Sequence, residues 1–301
     1  MFLGNMDQNT QIPTMLNGSS YLRIPLSVWN LTVIGVLVLA VYWHVIHKLF
    51  VAWLEIPDYS HGLLVPIFAG YLVWVRRKEL LRTKISPTWT GIAVVAAGLA
   101  LLLLGEFGAE LFLSRVSLIV LCAGLILGFG GWPLLKELRF VLLILFLAVP
   151  IPAIVFNQIA LPLQELAAKL ASVLLHTFNV PALRLGSVIE LPSMRLEVAE
   201  ACSGIRSLVS LFTLAVFYGY FLEKTFLRRA ILALASIPIA IAANAIRIFG
   251  TGMCIQYWDA EKALGFFHQF SGWVMFLVSL GCLSIIHFLM LPFPLGRRSA
   301  S

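Results

Sequence analysis

Three short stretches hold the residues best suited to chemistry. "VAEACSGIRSL" (198–208) runs from a polar segment into a long apolar block and places Cys202 two residues after Glu200 and four before Arg206. "ANAIRIFG" carries Arg247 three residues after Asn244, and "FFHQFSGW" carries His268 beside another apolar block. A thiol just before a helix start feels the positive end of the helix dipole, and a cation one turn on adds to it. Both favour the nucleophilic thiolate. Gly204 leaves the backbone accessible, so first-turn N–H groups can stabilise an oxyanion. His268 is the residue type that accepts and returns a proton near neutral pH. Arg247 cannot act as a base, but its fork can hold a carboxylate or an oxyanion. A Cys-His-Arg set of this kind suits nucleophilic acyl transfer, with Glu200, Ser203, Gly204, Arg206 and Asn244 as supporting residues.

Each residue also has a plainer reading. Cys202 can be structural, or paired with Cys254 in a disulfide. Arg247 can snorkel to headgroups, and His268 can sit with Trp273 in an aromatic belt. Ser203 can be a helix cap. What distinguishes the readings is whether the elements that carry these residues bring them to one place.

Those elements are membrane spans. The 301 residues are 60% hydrophobic and only 12% charged, about half the charged fraction of a soluble domain, with mean hydropathy +0.97. The net charge of +7 comes without Lys/Arg runs interleaved with aromatics, so nucleic acid is not an expected partner and the lipid bilayer is. Four cysteines (122, 202, 254, 282) form no CxxC pair or metal-ligand spacing, and no metal or cofactor is expected. The polar first 25 residues lack an apolar signal core, so the first apolar block is expected to remain as an anchor.

Apolar blocks run at about 28–47, 61–75, 89–105, 111–130, 139–156, 204–222, 229–249 and 270–291. With the N-terminus inside, the inner segments hold thirteen of the 21 cations and four of the 14 acids, a net of +9 against −2 for the rest. The asymmetry predicts an all-α polytopic membrane protein of about eight transmembrane helices, N-in and C-in. It forms a single domain over 1–301. Residues 157–178 carry a polar stripe (Gln158, Glu165, Lys169, Ser172, His176) and an apolar one (Ile159, Leu163, Leu166, Leu170, Leu174), the pattern of a helix lying in the interface. "LRLGSVIELPSMRLEVA" then reads as a short hairpin around Leu-Pro-Ser. The segment 157–203 is thus an extracytoplasmic helix plus hairpin that delivers Cys202 to the membrane, on the face where Arg247 and His268 are expected.

At these residues the sequence resembles the exosortase/archaeosortase family, multi-pass membrane cysteine transpeptidases. The likeness is carried by "DYSHGLLVPIFAGYLVWVRR" (58–77), "EACSGIRSL" (200–208), "ANAIRI" (243–248) and "FHQFSGW" (267–273). The resemblance implies that Cys202, Arg247 and His268 are the catalytic residues of a core-form bacterial member in the inner membrane, facing the periplasm. It implies substrates that are exported, membrane-anchored proteins ending in a Pro-Glu-Pro motif, one span and a basic tail. These would be cleaved through a thioester and passed to a surface acceptor, often alongside exopolysaccharide production. Asp58 and His61 lie in a family signature without an assigned role. Two other classes remain open: a non-catalytic scaffold or carrier in exopolysaccharide export, and an intramembrane serine protease using Ser203, although "CSG" lacks the preceding Gly of that motif.

Overall fold

The structure, a computed structural model, describes residues 28–108, 110–198, 205–258 and 266–291, with the backbone alone at 28 and 266–269. It is an all-α polytopic membrane protein with a small three-stranded sheet. The helices are α1 (Val28–Glu55), α2 (Leu64–Val75), α3 (Arg77–Arg82), α4 (Thr90–Phe107) and α5 (Leu111–Leu145), followed by α6 (Ala153–Thr177), α7 (Ile205–Leu222), α8 (Phe226–Tyr257) and α9 (Phe266–Met290). A 3₁₀ turn, Pro57–Leu63, joins α1 to α2.

Small residues set the tightest pairing. Gly91, Gly98 and Gly105 recur every seven residues on one face of α4 and admit the backbone of α5. A Cβ at Gly91 would stand 2.2 Å from the Gly128 nitrogen, and one at Gly105 would stand 2.4 Å from the Ser114 hydroxyl. Spans use small residues in this way because lipid offers little apolar driving force for association, so close van der Waals packing carries the contact.

Among the described residues, seven helices are long and apolar enough to cross a bilayer: α1, α4, α5 with the turn after it, α6, α7, α8 and α9. This differs from the eight apolar blocks of the sequence in three places. α2 has 12 residues, about 18 Å of rise, and falls short on its own. α5 has 35 residues, about 52 Å, and takes in two blocks. Gly131 divides it, with φ 77° and ψ −175°, a conformation open only to glycine. A side chain there would also strike the Ser86 carbonyl. The first part of α5 runs antiparallel to α4. The second runs antiparallel to α2, burying Val141, Ile144 and Ala148 against Val65, Ala69 and Leu72.

The third difference is α6, whose partners set its place. Basic side chains mark one end of the bundle. Arg76 pairs with the Glu137 carboxylate there and donates to the Glu137 carbonyl at 2.9 Å. Phe140 stacks on Tyr220, whose ring also lies under the Arg229 guanidinium. Glu223, 4% exposed, lies 3.3 Å from Arg228 and 3.2 Å from His287. At the opposite end, His61 Nε2 donates to Leu147 O at 3.1 Å and Trp53 Nε1 donates to Ala148 O at 2.8 Å. The start of α6 lies at this second end. Phe156 meets Tyr59, and Tyr59 donates to Ile151 O. The middle of α6 adjoins Ile205 and Leu208 of α7, while Leu175 and Phe178 reach Gly252 and Phe249 of α8. Length and composition suit α6 to crossing, and it packs along α8 from Ala240 and Ile241 to Gly252.

The faces of α6 differ from the two stripes of the sequence. Ala160, Gln164, Ala167, Ala168, Ala171, Ser172 and Leu175 are buried, so Ser172 leaves the polar stripe. Ile159, Leu166 and Leu170 are exposed. The leucine side therefore faces outward, and a third face of mostly small residues packs on the protein. Three strands follow in order: β1 (Leu183–Leu185), β2 (Val188–Glu190) and β3 (Arg195–Glu197). The pairs Arg184↔Ile189 and Ile189↔Leu196 centre the two antiparallel ladders. The sequence showed one hairpin, and the structure adds a second turn at Gly186, φ 62°. Ile189, Leu196 and Val198 turn inward to join Ala168, Leu175, Ile248 and Ile255 in one core. That core fixes the strand leading toward α7.

The cationic end offers a test of stability. Glu223→Ala leaves the Arg228 charge buried without its carboxylate, and removing one partner of a buried pair costs about 3 kcal/mol or more. A clear drop in resistance to SDS unfolding is expected, with Glu223→Gln losing less. Equal unfolding curves for Ala and wild type would discount the pair.

Candidate active site

Arg247 lies in the outer half of α8, counted from the basic end, and is half-buried. Its Nη2 donates to Asn244 Oδ1 at 3.0 Å, one turn back on the same helix. Its Nε is buried without a hydrogen-bond partner among the described residues. Asn244 thus fixes one edge of the guanidinium and leaves another for a ligand. A crevice beside it is walled by Ser207 of α7, Ala243 of α8, and Met275, Phe276 and Ser279 of α9. A Cβ placed on Gly272 would lie 3.5 Å from Arg247 Nη1, an ordinary contact distance, so the guanidinium lies directly against α9.

Sequence position gives these contacts their meaning. Ser207 follows Cys202 by five residues, and Gly272 follows His268 by four, one helical turn. Cys202, Glu200, Ser203 and Gly204 lie outside the described residues. His268 belongs to the first turn of α9, but its side chain is also outside them. Of the expected triad, the structure describes the side chain of Arg247. It brings that side chain beside α7, which begins three residues after Cys202 in the sequence, and beside α9, whose first turn includes His268. Cys254 has a free thiol and packs against the α6–sheet core.

Arg206, expected to act on the thiol, has a partner of its own. Its Nε donates to Asp58 Oδ1 at 3.4 Å, across 148 residues of sequence. The carboxylate offsets much of the Arg206 field. First-turn amides of α7 and Arg247 then remain as the positive features without a carboxylate partner among the described residues. The pair also gives the 3₁₀ turn a role in the architecture. His61 and Tyr59 tie the turn to the carbonyls of Leu147 and Ile151, and Asp58 ties it to the first turn of α7. The turn braces the segment that leads out of residue 202. An exposed pair contributes at most about 1 kcal/mol, so Asp58→Asn and Arg206→Gln are each expected to lower turnover by up to about fivefold. The double exchange, Asp58→Arg with Arg206→Asp, should recover part of that loss. No recovery in a turnover assay would leave the brace without support.

Sequence reasoning missed Gln164. A second crevice shares Asn244 with the first and is lined by Gln164 and Ala167 of α6, Ile205 and Leu208 of α7, and Ala240 and Ile241 of α8. Gln164 lies between the two stripes read from the sequence, among alanines. A lone amide in a small-residue face was the available signal.

Comparison with known proteins places the whole arrangement. The family model described as transmembrane exosortase matches residues 53–285 of this chain. No curated protein and no solved structure matches it.

Proposed function

Because the chain belongs to the transmembrane exosortase family, we propose that it is a membrane cysteine peptidase and transpeptidase. Its substrates are exported proteins that end in a Pro-Glu-Pro motif, one span and a basic tail. Supporting this reading is the placement of Arg247, held by Asn244 and bordered by the start of α7 and by Gly272 of α9. The proposed cation thus adjoins the start of α7, which follows the proposed nucleophile in the sequence, and α9, whose first turn includes the proposed proton carrier.

The substrate helix docks laterally and brings its motif to the end away from the basic loops. The Cys202 thiolate attacks the scissile carbonyl, and the tetrahedral oxyanion is held by Arg247 and first-turn amides of α7. As the intermediate collapses, the C–N bond breaks and His268 supplies a proton to the leaving amine. An acyl-thioester remains on Cys202. An amine acceptor attacks it and gives up a proton to His268, the C–S bond breaks and the thiolate is regenerated; water does the same as a hydrolytic side path. In this reading the site faces the periplasm across the inner membrane, which the cation asymmetry supports.

The test is co-expression with an exported reporter that carries such a tail. The reporter should shift in gel mobility, and a thioester adduct should be released by hydroxylamine. Topology is read by fusions after Arg82, Glu223 and Arg298, all expected to report cytoplasm. A periplasmic signal at Glu223 would put the start of α7 on the wrong side, and an unprocessed reporter would count against the activity itself.

A further inference from the structure

Gln164 is 8% exposed on the face of α6 that packs against α7 and α8. Its Oε1 is buried and has no hydrogen-bond partner among the described residues. Burying an amide oxygen without a partner is unfavourable, because its hydrogen bonds to water are lost and not replaced. The neighbouring positions on this face are Ala160, Ala167, Ala168 and Ala171, so helix packing alone gives no reason for a long polar side chain. An apolar residue of the same length would fill the volume without that cost. Buried polar atoms left unmatched in a protein interior call for an explanation, and a functional partner is one.

The surroundings narrow what that partner is. The crevice walls are aliphatic, with Leu163, Ile205, Leu208 and Ile241 around the amide. A charged ligand would be poorly solvated there, whereas a neutral one with matched donor and acceptor would gain from the low local dielectric. A primary amide offers both functions together, which complements the N–H and C=O of a peptide unit. Position points the same way. Ile205 is three residues after Cys202, and Asn244, which holds Arg247, lines the same crevice.

We infer that Gln164 is a substrate-binding residue. Its amide pairs with a backbone peptide group of the substrate segment flanking the bond attacked by Cys202, and so aligns that segment between α6, α7 and α8. The inference rests on the transpeptidase reading above.

Gln164→Met in the full-length protein separates this role from a structural one. Removing an unmatched buried amide should leave the melting temperature in detergent unchanged or raise it by about 2–4 °C. Alkylation of Cys202 by iodoacetamide, followed by mass spectrometry, should proceed at the wild-type rate. Processing of the Pro-Glu-Pro reporter should nevertheless fall at least tenfold. Gln164→Asn, which keeps the amide one methylene shorter, should retain more activity than Met. Processing by the Met variant within twofold of wild type would overturn the inference, leaving the amide to a buried water. So would a parallel loss of melting temperature and processing, the mark of a packing role. If the wild-type protein does not process the reporter at all, the transpeptidase reading fails and the inference falls with it.

Discussion

Cys202→Ala is expected to abolish reporter processing, a loss of at least about a thousandfold, because removing a covalent nucleophile leaves only binding and oxyanion stabilisation. The protein should still insert and fold, since the change deletes one sulfur atom. The neighbouring Ser203→Ala should keep activity within about fivefold, as a helix-cap hydroxyl contributes about 1 kcal/mol. The pair of variants divides three classes of function. Loss at Cys202 with retention at Ser203 fits a cysteine transpeptidase. The reverse pattern fits an intramembrane serine protease, and full processing by both fits a scaffold whose partner does the cutting. Gel mobility of the reporter and hydroxylamine-releasable adduct are the two readouts, and the adduct must vanish with Cys202.

The same residues show where sequence reading has reach. The apolar blocks were legible because a span needs about 20 apolar residues whatever its neighbours are. The Gly-Trp-Pro run at 131–133 falls in the gap between two blocks, and the structure puts the backbone reversal there, at Gly131. The cation asymmetry paired the loops at 76–84 and 136–139, and Arg76 does meet Glu137. What stayed hidden depends on partners far away in the chain. No periodicity within residues 57–63 announces that Asp58 meets Arg206. In α6 the strong stripes, polar and leucine, were the outward ones, because alanine carries little hydropathic signal while allowing the closest helix approach. Gln164 was lost with that face. The second turn of the sheet was missed since strands of three residues are too short to establish alternation.

Arg247 poses the sharper question, because two roles fit a guanidinium held on one edge by Asn244 and unbonded at its buried Nε. It can stabilise the oxyanion, or it can read the Glu of a Pro-Glu-Pro motif through a charge-assisted pair. Arg247→Lys keeps the charge but loses the planar fork and the contact to Asn244, so either role predicts a loss of about a hundredfold or more. The roles separate when the substrate Glu is changed to Gln. If Arg247 reads the motif, that change should cost the wild-type enzyme heavily and Arg247→Lys far less, since the same interaction cannot be lost twice. If it serves the transition state, the two defects should multiply. The oxyanion role is the expected result: Arg247 shares its crevice with Ser207, five residues from Cys202, and borders the first turns of α9 at Gly272. Turnover measured for the four enzyme–substrate combinations gives the coupling directly. Near-normal turnover by Arg247→Ala would reject both roles and return the residue to anchoring the end of α8 at the membrane surface.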